Sequence, residues 1–214
     1  MRSKFDEQLA LLNRDLTKMG SLCEEALALA AKALANADGQ TAAKIAPIDS
    51  EIDQMERTIE SLCLKLLLQQ QPVARDLRRI SAALKMITDM ERIGDQASDI
   101  AEIIGFLNGR IGTDAQYICQ MAVAAMRMVT ESVEAYVKRD VAMAEATIQH
   151  DDVVDDLFLK VKESLIQMIS ENPKDGEYAL DLLMIAKYFE RIGDHATNIA
   201  EWVVFSVTGV HEQV

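Results

Sequence analysis

The twelve residues ERIGDQASDIAE at 91–102 return at 190–201 as ERIGDHATNIAE, displaced by 99 positions and identical at nine of them. Chance similarity between Ala/Glu-rich segments does not readily produce this, so the chain reads as a tandem duplication. Farther upstream the displacement becomes 102, pairing Asp49 and Asp53 with Asp151 and Asp155. The three-residue difference falls in the connection between the paired segments, where insertions are tolerated. Whatever fold the first copy adopts, the second must also support.

Hydrophobic spacing makes that fold helical. Leu16, Met19, Cys23, Ala26, Ala30 and Ala33 advance by alternating steps of three and four, giving one apolar face to a first helix that runs to about Asn36. A break follows at Asp38–Gly39–Gln40, and Pro47–Ile48–Asp49 has the character of a new helix start. A second helix near 49–70 carries Ile52, Met55, Ile59, Leu62 and Leu66. Pro72 suits the first turn of a third, which runs to about Gly105 with Leu77, Ile80, Leu84 and Ile87 on its stripe. Gly105, Gly109 and Gly112 mark a central linker, after which Asp114 is expected to cap a fourth helix near 115–139. A fifth is expected over 151–170, with a short piece before it at 141–148, and a sixth over 177–207 after the Asn172–Pro173 turn. The expectation is an all-α chain of two tandem three-helix units, 1–107 and 113–214.

Composition agrees. Half the residues are apolar but only 5% are aromatic, with 9 Gly and 3 Pro, too few turn and strand formers for a β sandwich or barrel. A formal charge of -13 repels phosphate backbones, so nucleic acid is excluded as a partner, and no polybasic membrane patch is present. The isolated Cys23, Cys63 and Cys119 read as reduced core thiols of a cytosolic protein. The opening MRSKFDEQLALLNRD is acidic from position 6 and does not read as a signal peptide. No run of about 18 apolar residues exists, so no transmembrane span is expected.

The chemistry lies in the acids. At about 100° per residue, Glu91, Asp95, Asp99 and Glu102 fall within roughly 80° of one another on the third helix. Met86, Met90, Ile93, Ala97, Ile100 and Ile104 occupy the opposite side. The sixth helix repeats this with Glu190, Asp194, Asn198 and Glu201 over Ile192, Ala196, Ile199 and Val203. Like charges at i,i+4 destabilise a helix by about 0.2–0.5 kcal/mol per pair, so something must offset them.

The preceding helices supply Asp49-x-x-x-Asp53 and Asp151-x-x-x-Asp155. The first pair lies 19–23 residues before Pro72, and Asp95 and Asp99 lie 23–27 after it. The corresponding arms about Pro173 are 18–22 and 21–25 residues. Antiparallel hairpins with these arms bring the acidic pairs within one or two turns of each other in both copies. A solvated face is the ordinary reading of an acidic stripe, but matched doublets on two helices favour a metal site. All-carboxylate ligation suits Mg²⁺, Ca²⁺, Mn²⁺ or ferric iron, and several carboxylates per site suit more than one ion.

The residues around the acids have their own readings. Gly94 and Gly193 sit inside helices at a cost of about 0.8–1 kcal/mol against Ala, which points to close helix approach. Arg92 and Arg191 read as interhelical ion-pair partners, and His150 and His195 as surface residues rather than ligands. Met19, Met55, Met86, Met90, Met121, Met126 and Met128 read as core filler, and Arg75, Arg78, Arg79 and Lys85 as a solvated cationic face. No Glu-x-x-His, phosphate loop or nucleophile–His pairing is present, so no enzyme activity is expected.

The doubled ERIGD-x-A-x-N/D-IAE motif, the QQPVARDLRRI opening at 70–80 and the closing ERIGDHATNIAEWVVF resemble the PhoU family from about Phe5 to Phe205. The resemblance implies two three-helix bundles related by an internal pseudo-twofold, and a homodimer. It implies metal ligands at Asp49, Asp53, Glu91, Asp95 and Asp99, and again at Asp151, Asp155, Glu190, Asp194 and Asn198. These would hold multinuclear clusters of iron or another divalent metal. Asn198 departs from the all-acid pattern, which implies a weaker or differently populated second cluster. The family's role implies a cytoplasmic regulator, peripheral to the membrane only through partners. Those partners are the ATPase of a phosphate ABC transporter and a phosphate-sensing histidine kinase, and the outcome is repression of the phosphate-starvation response. A metal-buffering protein and a purely structural helical scaffold are the competing readings.

Overall fold

The computed structural model describes residues 2–70, 72–107, 109–110 and 115–210. The periodic segments fold as α1 (Arg2–Asn36), α2 (Gly39–Ala42), α3 (Ile45–Gln70), α4 (Ala74–Phe106), α5 (Gln116–Lys138), α6 (Val141–Gln149), α7 (Asp151–Glu171) and α8 (Gly176–Thr208). A single 3-10 turn, Pro173–Asp175, precedes α8. Six long helices match the six expected, and two short ones stand between them.

The short helices extend the repeat. Ala37 at φ 51° and Arg139 at φ 58° both turn the chain through the left-handed region, 102 positions apart. Each is followed by a capping aspartate. Asp38 Oδ1 accepts from the amides of Gln40 and Thr41 at 3.0 and 3.2 Å, and Asp140 Oδ1 accepts from that of Met143 at 3.0 Å. Each copy is therefore long–short–long–long. The break expected at Asp38–Gly39–Gln40 is a helix start, because the aspartate carboxylate satisfies amides that a helix leaves open.

Two prolines mark the starts of the hairpin helices. Pro47 stands in the first turn of α3, where its missing N–H removes no intrahelical bond. Pro72 precedes Val73, the N-cap of α4, rather than standing in the first turn. The cap expected at Asp114 lies outside the described residues.

Packing follows the duplication. α1, α3 and α4 pack together, as do α5, α7 and α8, and the halves join through α1 on α5 and α4 on α8. One buried core runs through both, including Leu12, Leu16 and Met19 of α1, Ile52 and Ile59 of α3, Met86 and Ile93 of α4, and Phe189 and Ile192 of α8. Each such side chain contributes about 1.5–3 kcal/mol by leaving water. Six of the seven methionines read as core filler are buried, and Met126 is half-buried. All three cysteines are free. Burial pushes the thiols of Cys23 and Cys63 up to about 12, leaving them un-ionised and inert. Among the described residues, no helix is long and apolar enough to cross a membrane.

The α4–α8 contact is reciprocal. Asp89 of α4 accepts from Asn198 Nδ2 at 3.2 Å and lies 2.9 Å from His195 Nδ1. Tyr188, the repeat equivalent of Asp89, donates its hydroxyl to Asp99, the equivalent of Asn198. A bond made by one half is thus mirrored by the other, as a pseudo-twofold axis between α4 and α8 requires.

Candidate metal centre

The acidic pairs meet where the hairpin arithmetic places them. Oxygens of Asp49 and Asp53 on α3 and of Asp95 on α4 lie within 4.8 Å of one another. Among the described residues, this is the only set of three potential ligands so close.

The approach of the helices is set by a missing side chain. A Cβ on Gly94 would lie 2.7 Å from Asp49 Oδ1 and 3.0 Å from Ile52 Cδ1. A Cβ on Gly193 would lie 3.0 Å from Asp151 Oδ1. The glycines inside ERIGD therefore let α3 and α7 seat a carboxylate directly against the partner helix, offsetting their poor helix propensity.

Asp49 is held on one side only. Its Oδ2 accepts from Ser98 Oγ at 2.8 Å, whereas its Oδ1 is buried without a hydrogen-bond partner. Burial raises its pKa, the Ser98 bond opposes that rise, and Asp95, Asp53 and Asp99 add to it. Glu91 is raised by burial and by Asp95 and Glu56. Asp95 is raised by burial, with Arg92 working against the shift. The crowding is only lightly relieved from the rim, by Arg57 at 3.7 Å from Asp53 and Arg92 at 3.6 Å from Glu91. The ion pair of Arg92 is thus with its neighbour on α4 rather than across helices, and its side chain is 58% exposed.

The second cluster uses the equivalent residues differently. Burial drives the Asp151 carboxyl up to about 6, with Asp194, Asp155, Glu190 and Asp152 adding to the rise. Glu190 is already paired with a cation, since Lys187 Nζ stands 2.5 Å from each of its oxygens. Thr197, the counterpart of Ser98, has a buried hydroxyl without a partner. Asn198 directs its amide to Asp89.

Other sequence readings resolve in place. His150 pairs with Glu131 at 3.0 Å and His195 with Asp89 at 2.9 Å; His195 is not the surface residue expected, because the α4–α8 contact leaves its side chain only 19% exposed. Arg79 is a packing residue: its Nη2 donates to Asn13 at 2.6 Å and its guanidinium lies over the Tyr136 ring. Lys187, Asp89 and Tyr188 were not singled out in the sequence. Extending the 99-residue displacement upstream of ERIGD would have exposed the contrasts Thr88/Lys187 and Asp89/Tyr188.

A buried carboxylate oxygen with no donor, inside a triad of like charges, matches what hard oxygen-seeking cations require. The PhoU domain model matches this chain twice, over residues 16–104 and 118–203, once for each acidic hairpin. The chain belongs to the PhoU family. It is 36% identical over 210 residues to the phosphate-specific transport system accessory protein PhoU homolog of Clostridium acetobutylicum, covering 97% of this chain and 96% of that one. It is likewise 36% identical over 213 residues to the homolog from Synechocystis, covering 99% and 94%. Its fold superposes on the crystal structure of PhoU from Pseudomonas aeruginosa with a TM-score of 0.92 at 34% identity, over 96% of this chain and all of that one. The phosphate transport system regulatory protein PhoU from Streptococcus pneumoniae gives 0.88 at 26% identity, over 98% of this chain and 100% of that one. The all-α PhoU fold in two repeats is thus established for this chain.

Proposed function

We propose that this chain is a non-enzymatic, metal-binding regulator of phosphate uptake and signalling. The observation that carries the reading is the Asp49, Asp53, Asp95 triad with its unpartnered buried oxygen. Family membership and the names of its relatives, which describe accessory and regulatory proteins of phosphate transport, support the same reading.

In the first half, residues 1–107, Asp49, Asp53, Glu91, Asp95 and Asp99 would hold the ions. In the second, residues 113–214, Asp151, Asp155, Glu190 and Asp194 would do so, with Asn198 at the edge. Bound iron or another divalent metal supplies positive charge to a surface that is otherwise strongly acidic. The chain's own residues orient that charge: α3 and α7 present one carboxylate pair, α4 and α8 the other, and Gly94 and Gly193 let them converge. A surface so reversed in sign suits docking on an acidic or phosphorylated face. The partners proposed are the ATPase of a phosphate ABC transporter and a phosphate-sensing histidine kinase, met by a cytoplasmic homodimer that represses the starvation response.

The test is elemental analysis of the purified chain beside a variant lacking Asp95, Asp99, Glu190 and Asp194, followed by partner binding with and without chelator. Metal on the wild type alone, with partner affinity falling at least about tenfold on chelation, is the expected result. Full-affinity binding of both partners by metal-free protein would sink the docking role of the metal.

A further inference from the structure

Duplicated halves allow each residue to be judged against its own counterpart. Lys187 stands out in that comparison. Its Nζ is 2.5 Å from both carboxylate oxygens of Glu190 and 5.6 Å from the centre of the Phe158 ring on α7. Ninety-nine positions earlier the chain has Thr88, and 102 positions before Phe158 it has Glu56. The first cluster therefore has a hydroxyl and an additional carboxylate where the second has an ammonium over an aromatic ring.

We propose that Lys187 is a built-in cation of the second cluster, making it load with metal only at concentrations well above those that fill the first. The inference rests on the metal-binding reading above. A metal ion entering among Asp151, Asp155, Glu190 and Asp194 meets a like charge already in place. To recruit Glu190 it must also break a charge-assisted contact to both oxygens. In the first cluster the cations among the described residues make longer and more exposed contacts: Arg57, 69% exposed, lies 3.7 Å from Asp53, and Arg92, 58% exposed, lies 3.6 Å from Glu91. Three oxygens are already gathered within 4.8 Å, and the ligand Asp49 is preset by Ser98. The two halves thus combine a pre-assembled site with one that must expel its own cation, so that one chain responds over two ranges of metal supply.

Mn²⁺ alone is the probe, titrated into chelator-stripped full-length protein and followed by the electron paramagnetic resonance of the free ion. The wild type should show a tight class, lost in Asp95→Asn, and a weaker class, lost in Asp194→Asn. Lys187→Thr should tighten the weaker class about tenfold, as expected for removing one nearby like charge whose side chain is 46% exposed and so largely screened by water. The reciprocal Thr88→Lys should weaken the tight class by a similar factor, and it keeps the test decisive if Lys187→Thr fails to fold. Two classes that load together in the wild type, or a weaker class indifferent to Lys187→Thr in a helical, monodisperse protein, would overturn the inference while leaving metal binding intact. A wild type that takes up no Mn²⁺ in either half would overturn both this inference and the reading on which it rests.

Discussion

The two acidic clusters descend from one sequence and share a hairpin geometry, yet they manage their charge in different ways. In the first, Asp49 is anchored by Ser98, its other oxygen is left without a donor, and three carboxylates converge. In the second, Thr197 stands in place of Ser98 with its hydroxyl left without a partner, and Lys187 pairs with Glu190. The repeat preserves the acids except that Asn198 stands where the first copy has Asp99, and it varies the residues one helical turn away. The halves therefore differ in one member of the ligand set and more widely in its company.

The largest expected difference is in packing. Gly94→Val should destabilise the protein by about 3 kcal/mol through overpacking, because even a Cβ would meet Asp49 at 2.7 Å and Ile52 at 3.0 Å. Gly193→Val should cost about half that, since the nearest atoms stand at 3.0 Å and 3.5 Å. Urea melts of the two variants check this ordering. Equal losses would mean the two hairpins are packed equally tightly.

A smaller effect should appear as pH dependence in the metal-free protein. Asp151 has a folded-state pKa of about 6, above the unfolded value of 3.8, so at neutral pH its ionised form opposes folding. The groups facing it are Asp155 and Asp152 on α7 and Glu190 and Asp194 on α8, all of like sign. As pH falls through 6 towards 4 the folded state takes up the proton first, and stability rises. Thermal melts at pH 5 should therefore lie about 2–4 °C above those at pH 7.5. Asp151→Asn should flatten that rise more than Asp49→Asn does, and an equal response would erase the contrast between the two carboxylates.

The smallest effect separates the two hydroxyls. Ser98→Ala removes the donor to Asp49 and should cost about 1 kcal/mol. Thr197→Val removes a buried hydroxyl that has no partner and should be neutral or slightly stabilising. Denaturant melts of both variants, read against wild type without metal, would sharpen the comparison if the signs differ and break it if they agree.

Much of this was legible in the residues. The 99-residue repeat, the steps of three and four and the Pro72 and Pro173 turns specify helices and hairpins locally, because helix periodicity and turn chemistry act over a few residues. The hairpin arms also placed Asp49 and Asp53 opposite Asp95, since helical rise converts residue count into height. The short α2 was harder to read than α6, which was expected over 141–148. Their starts depend on left-handed turns at Ala37 and Arg139, neither of which is a glycine.

Sequence alone determined the all-α duplication, the carboxylate fronts and the need for small residues at Gly94 and Gly193, all of which follow from spacing along a single helix or hairpin. Only the tertiary structure decided which polar groups meet across helices: Ser98 on Asp49, Tyr188 on Asp99, and Asp89 on His195 and Asn198. It also decided that Lys187 turns to Glu190 with its ammonium over the Phe158 ring of α7. Side-chain partners depend on how α4 and α8 cross and on which rotamers that crossing admits. Distances of a few ångströms between segments about a hundred residues apart are fixed by packing, not by the order of residues along either helix.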